Sequence, residues 1–181
     1  MKKAVFLDKD GVITVDQNYD QSIESFKFIE KNIEAFRLIK EKGYLIFVIS
    51  NQSGIARGYY SAEDFEKLMK YIEEKLSKEN VCWDKYYYCP HHPEGKVSKY
   101  KMVCNCRKPQ PGMILQAQKE FDVDLSQSIM VGDRLSDLQA GKNSGIKNTY
   151  LVRSGKEVTE EAQKEATAVF DNLYELACTL N

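Results

Sequence analysis

The sequence predicts an α/β fold, a doubly wound parallel sheet, from three observations. Short apolar runs (Val5 to Leu7, Leu45 to Ile49, Ile129 to Val131, Tyr150 to Val152) alternate with longer stretches of helical period. The second run is apolar at every position, as expected of a strand covered by helices on both faces. Polar residues follow the runs at their carboxyl ends, where ligands bind in sheets of this kind.

Taken in order, Ala4 to Leu7 is the first strand and stops abruptly at Asp8-Lys9-Asp10-Gly11. A polar, aromatic-dotted segment then runs to about Phe28, too long for a tight turn, and reads as a substrate-facing loop. Ile29, Ile33, Phe36 and Ile39 recur at spacings of four, three and three and predict a helix, with Gly43 at its C-cap. Leu45 to Ile49 is a central second strand ending in the polar turn Ser50-Asn51-Gln52-Ser53-Gly54. Ser61-Ala62-Glu63-Asp64 is a capping-box variant opening a helix whose stripe of Phe65, Leu68, Met69, Ile72 and Leu76 is core. Lys85 to Tyr88 is a third strand. Pro111-Gly112 opens a helix through Phe121, and Ser128 to Val131 is a fourth strand that runs into Gly132-Asp133-Arg134. A short helix after Ser136 reaches Gly145, Asn148 to Val152 is the fifth strand, and Val169-Phe170 with a helix from Asn172 closes the chain. No linker, repeat or low-complexity segment interrupts residues 1–181, which are expected to form one domain.

Composition narrows the class. The chain has 181 residues, enough for one well-buried core, with 43% hydrophobic and 29% charged residues, values of an ordinary soluble protein. A formal net charge of −1 argues against a polyanion-binding surface, so no nucleic acid partner is expected. Asp8 cuts the first apolar run too short for a signal peptide, and no stretch approaches membrane-spanning length. Five cysteines without an export signal point to the cytoplasm, and to metal ligands or free thiols in place of disulfides. Cys82 and Cys178 read as packed thiols in apolar surroundings.

Two carboxylates one residue apart at the end of a buried strand need a cation, hydrogen bonds or catalytic use to offset their desolvation. A strand-ending turn in which Asp caps backbone amides explains an isolated D-x-D-G equally well. The balance moves towards catalysis because Ser50, Asn51 and Asp133 also fall at strand carboxyl ends, while Lys108 precedes a helix-opening proline. Three elements then deliver hard-cation ligands and phosphate-binding groups to one place.

Together Asp8-Lys9-Asp10-Gly11-Val12, Ser50-Asn51-Gln52, Lys108, and Gly132-Asp133 with Asp137 resemble the four ordered motifs of the haloacid dehalogenase superfamily of phosphatases. The runs Ser50 to Gly58, Tyr87 to Pro93 and Cys104 to Pro109 are similar to those of its heptose bisphosphate phosphatases, which have short cap loops and no large cap domain. Lys9, Val12 and Ser50 stand where close relatives often carry Arg, Thr and Thr. The resemblance implies removal of the 7-phosphate from a heptose 1,7-bisphosphate on the way to nucleotide-activated heptose. Asp8 would be the nucleophile and Asp10 the general acid/base. Mg²⁺ would be held by Asp8, the Asp10 carbonyl and Asp133, while Ser50 and Lys108 neutralise phosphoryl oxygens. Asp137 reads as support behind the metal or as a helix N-terminal acid favoured by the dipole. Asn51 orders its loop, forms a turn or touches substrate. Further substrate contacts implied are Asp16, Gln17, Asn18, Tyr19, Gln52, Ser53, Arg57, Arg107 and Arg134. A small sugar bisphosphate is the expected partner, and the small cap hints at a monomer.

Cys89-x-His91 and Cys104-x-Cys106, twelve residues apart, supply four ligands of a closed structural zinc site within loop 89–106. Coincidental cysteine pairs in a loop are the other reading, and His92 falls off the spacing. Two further functions stay open: a histidinol-phosphate phosphatase of the same superfamily, and a non-enzymatic zinc module that binds nucleic acid or protein.

Overall fold

The computed structural model describes residues 1–181. Six parallel strands form one sheet in the order β3-β2-β1-β4-β5-β6: β1 Ala4–Leu7, β2 Leu45–Asn51, β3 Lys85–Cys89, β4 Ile129–Gly132, β5 Asn148–Val152 and β6 Ala168–Phe170. The helices are α1 Asn32–Glu41, α2 Ser53–Arg57, α3 Ala62–Lys78, α4 Gly112–Phe121, α5 Leu135–Ser144, α6 Glu160–Glu165 and α7 Leu173–Thr179. None is long and apolar enough to cross a membrane.

Side chains alternate across a strand, and here the alternation sorts the core into two layers. Val5, Leu7, Ile46 and Val48 pack with α1, α3 and α7, whereas Ala4, Phe6, Phe47 and Ile49 face α4 and α5. Both faces of the sheet are therefore covered, and β1 is flanked by β2 and β4, so its carboxyl end lies between two other strand ends. The expected stripe of α3 is buried as one face, and Ser61 and Asp64 form the capping box.

Several boundaries differ from the sequence expectation. Helix α1 starts at Asn32, not Ile29, because Thr14 and Phe28 bridge as antiparallel strands and the Ile29 amide donates to the Ile13 carbonyl. Buried Asn32 donates to the carbonyls of Val12 and Ile13 at 2.9 and 2.6 Å, tying the long loop to the helix. The polar turn after β2 continues directly into α2, and α6 had no periodic signal in its six residues. Cys82 and Cys178 are exposed, against expectation. Their neighbours Val81, Trp83 and Ala177 occupy the inward positions and leave both thiols on the outside.

Candidate active site

Asp8 leaves β1 with its amide donating to the Val131 carbonyl at 3.0 Å, which pins it beside the end of β4. Gly11, at φ +88°, then turns the chain, and its amide donates to the Thr14 carbonyl at 2.7 Å. A Cβ at Gly11 would stand 2.4 Å from Asp133 Oδ2 and one at Gly155 only 2.2 Å away, so both positions hold the Asp133 carboxylate between bare backbones. Beyond this turn the two aspartates line the same cleft with different partners. Asp8 joins Asp133 and Asp137, whose carboxylate oxygens and its own all lie within 4.8 Å of one another. Asp10 instead turns its carboxylate to Lys9, Thr14 and Gln52.

Lys108 stands inside this acidic group. Its Nζ lies 2.8 Å from Asp8 Oδ1 and 2.7 Å from Asp137 Oδ1, donates to the Ile49 carbonyl at 2.9 Å, and is only 4% exposed as a residue. Burial alone would lower its pKa, but Asp137 and Asp8 move it upward and keep the ammonium charged. One ammonium among three carboxylates leaves two negative charges uncompensated. Burial accordingly pushes Asp8 up to about 8 against the pull of Lys108, and burial with the Asp137 charge pushes Asp133 up to about 6. Asp133 Oδ1 is buried without a hydrogen-bond partner, and the nearest cation, half-exposed Arg134, is 3.8 Å away. An orphaned carboxylate oxygen in a doubly negative group is the donor set a divalent hard cation fits. Asp137 Oδ2 accepts from the amides of Asp133 and Arg134 at 3.2 and 3.0 Å, so it both caps α5 and holds Asp133 in place.

Asp8, Asp10, Lys108 and Asp137 open into a cleft of about 380 Å³. Its walls come from six segments: Asp16, Asn18 and Tyr19 after β1; Ser50, Asn51 and Ser53 at the end of β2; Tyr60 after α2; Arg107 beside Lys108; Arg134 and Ser136 at α5; and Lys156 after β5. The turn from Gln17 to Asp20, with Asn18 at φ 58°, aims its neighbours at the cleft and leaves Gln17 out of the lining. Gln52 and Arg57, expected to contact substrate, are also outside it. Gln52 is buried against Asp10, Ser50 and Tyr60, and Arg57 meets His92 Nε2 at 3.1 Å, tying α2 to the cysteine loop. Asn51 lines the cleft, but its side-chain amide pairs reciprocally with the backbone N–H and C=O of Lys108, each at 3.0 Å.

Lys9, Tyr60 and Lys156 were not legible as site residues. Buried Lys9 pairs with Asp10 and donates to Gln21 Oε1 at 3.0 Å. The Lys156 amide donates to Asp133 Oδ2 at 2.8 Å, while its ammonium meets Asp16 Oδ2 at 2.9 Å. Lys156 thus joins the loop after β1 to the Asp133 carboxylate.

Beside Lys108 the cysteine loop closes on itself. Sγ of Cys89 lies 3.5 Å from that of Cys104 and 3.7 Å from His91 Nδ1, and Cys106 Sγ lies 3.3 Å from Cys104 Sγ and 3.4 Å from His91 Nδ1. A zinc–sulfur bond of about 2.3 Å implies tetrahedral edges near ~3.8 Å, so the four atoms fit a zinc-sized centre. His92 Nδ1 accepts instead from the Glu94 amide and stays apart from this group.

A HAD-hydrolase-like family model matches residues 105–176. The D-glycero-beta-D-manno-heptose-1,7-bisphosphate 7-phosphatase of Pasteurella multocida is 48% identical over 97% of this chain and 95% of its own length. The enzyme of the same name from Escherichia coli K12 is 44% identical over 96% of this chain and 91% of its own. Among solved structures, the D,D-heptose 1,7-bisphosphate phosphatase of B. bronchiseptica, complexed with magnesium and phosphate, is 28% identical with a TM-score of 0.82 over 98% of this chain and 97% of its own. On fold, motif order and full-length similarity, the chain belongs to the haloacid dehalogenase-like hydrolases, in the family of the heptose-1,7-bisphosphate 7-phosphatases.

Proposed function

We propose that this chain is a Mg²⁺-dependent phosphatase that removes the 7-phosphate of D-glycero-β-D-manno-heptose 1,7-bisphosphate, leaving the 1-phosphate for nucleotide activation. The observation that carries the reading is the buried meeting of Asp8, Asp133 and Lys108 at the strand ends of a chain whose relatives bear that name. The β anomer is taken from those relatives' names.

Asp8 attacks phosphorus in line and breaks its bond to the sugar oxygen, forming an aspartyl-phosphate that water then hydrolyses. Asp10 gives a proton to the departing oxygen and takes one from the water. Lys108 and the Ser50 hydroxyl neutralise the oxygens of the transferring group. The carboxylates of Asp8 and Asp133 with the Asp10 carbonyl would hold Mg²⁺, which when bound supplies Lewis-acid stabilisation of phosphoryl charge. Asp16, Asn18, Tyr19, Ser53, Arg107 and Arg134, joined by Lys156, present the polar wall that the rest of the sugar bisphosphate meets. Cys89, His91, Cys104 and Cys106 would hold a structural zinc. We take the enzyme to act in the cytoplasm as a monomer.

The test is phosphate release from both heptose bisphosphate anomers and from histidinol phosphate, with and without Mg²⁺. Faster turnover of the β anomer, dependent on Mg²⁺ and abolished in Asp8→Asn, is expected. Faster cleavage of histidinol phosphate would overturn the substrate, and metal-independent turnover would overturn the mechanism.

A further inference from the structure

The Asp10 carboxylate is hydrogen-bonded unevenly. Its Oδ1 accepts from the Lys9 ammonium and from the Thr14 hydroxyl at 3.2 Å, whereas Oδ2 accepts from the Gln52 amide alone, at 3.0 Å. Each carboxylate oxygen offers two lone-pair positions, so Oδ1 is filled and Oδ2 keeps one free. The Gln52 amide is itself fixed. Its Oε1 accepts from the Tyr60 hydroxyl at 2.5 Å, and its Nε2 also reaches Ser50 Oγ at 2.8 Å. Turned over, the amide would set its oxygen against the Asp10 carboxylate, acceptor against acceptor. Burial and the charge of Asp10 hold the Tyr60 phenol well above its ordinary pKa, so it remains a donor. Gly54 provides the room, since a Cβ there would stand 2.1 Å from a Tyr60 ring carbon.

We infer that Tyr60 and Gln52 are positioning residues that assign the transferable proton to Asp10 Oδ2. The inference rests on the phosphatase reading through Asp10 as acid/base. As the bond from phosphorus to the sugar oxygen breaks, that oxygen takes the proton from Oδ2 and the negative charge stays on Asp10. Lys9 and Thr14 stabilise the charge at Oδ1 without competing for the proton. When water attacks the aspartyl-phosphate, its proton returns to Oδ2.

The experiment compares kcat/KM of Tyr60→Phe on an alkyl phosphate and on 4-nitrophenyl phosphate. This constant covers steps through departure of the leaving group, and a nitrophenolate leaves without a proton. Expected are a loss of about 10-fold on the alkyl phosphate, less than about 2-fold on the aryl ester, and a folded protein whose melting temperature falls by only a few degrees. Gly54→Ala displaces the ring without altering Gln52 or Asp10 and should show the same split. Equal losses on both substrates, or none, would overturn the assignment. Lack of heptose bisphosphate turnover by the unsubstituted protein counts against the substrate reading alone, because the comparison needs only an alkyl phosphate that it cleaves.

Discussion

Lys108 Nζ lies 2.8 Å from Asp8 Oδ1, although the two residues are one hundred positions apart in the chain. The contact places a permanent cation against the oxygen that would become part of an acyl phosphate. It also ties the segment that follows the cysteine loop to the end of β1.

Lys108→Met should strand Asp8 and Asp137 in the interior. Removing one partner of a buried ion pair costs about 3–5 kcal/mol, to be read from the denaturant midpoint, and kcat should fall by about 10²- to 10³-fold. Adding Asp137→Asn should recover part of the stability and none of the activity. A single variant as stable as the parent would show that the pair is not structurally coupled.

Stability of the metal-free protein should decline with pH. Asp8 and Asp133 have folded-state pKa values raised from 3.8 to about 8 and about 6. Between those limits the folded state binds more protons than the unfolded one, so folding loses stability as pH rises. Mg²⁺ favours the ionised carboxylates, so the rise in melting temperature it produces should grow from pH 5 to pH 8. A Mg²⁺ effect independent of pH would contradict the placement of the ion among these acids.

The zinc reading predicts about one zinc per purified chain. Cys104→Ser should lower the melting temperature and shift KM while Mg²⁺ binding persists, because its sulfur holds a loop and does no chemistry. Active protein prepared without zinc would remove the site.

Arg107 lines the cleft, with its guanidinium donating to the His91 carbonyl at 3.4 Å. If it grips the phosphate that is not cleaved, Arg107→Ala should cost about 10- to 150-fold in kcat/KM on the bisphosphate, the equivalent of roughly 1.5–3 kcal/mol. A monophosphate should lose little. An equal loss on both would move Arg107 to the reaction centre.

The strands and their terminal acids were legible because burial leaves a plain trace: apolar runs that stop at Asp8 and Asp133. The α3 stripe was legible for the same reason, since about three turns of consistent periodicity from Phe65 to Leu76 leave little choice of face. Helix α2 left no such trace. Its five residues contain a glycine, and its place is set by packing that only the folded chain provides, with the Tyr60 ring lying over Gly54. Lys156 sits in a polar loop with no pattern, and reaches Asp133 through the return from β5. The contacts of Gln52 with Asp10 and Tyr60 and of Arg57 with His92 were not legible, because a motif marks where a side chain starts, not which neighbours claim its polar atoms.

The reciprocal pairing of the Asn51 side chain with the Lys108 backbone imitates a rung of the sheet, with an amide side chain standing in for a strand. Lys108 is therefore docked on β2 by a fastening that does not involve sulfur. In evolutionary terms the cation and the cysteine loop are separable parts: a lineage that lost Cys89, Cys104 and Cys106 would keep the registration of its lysine as long as it kept Asn51. The segment between His91 and Cys104 has its own moorings, the amides of Lys96 and Val97 donating to the Ala56 carbonyl at 2.7 and 2.9 Å, so it is fastened to α2 and not to the lysine.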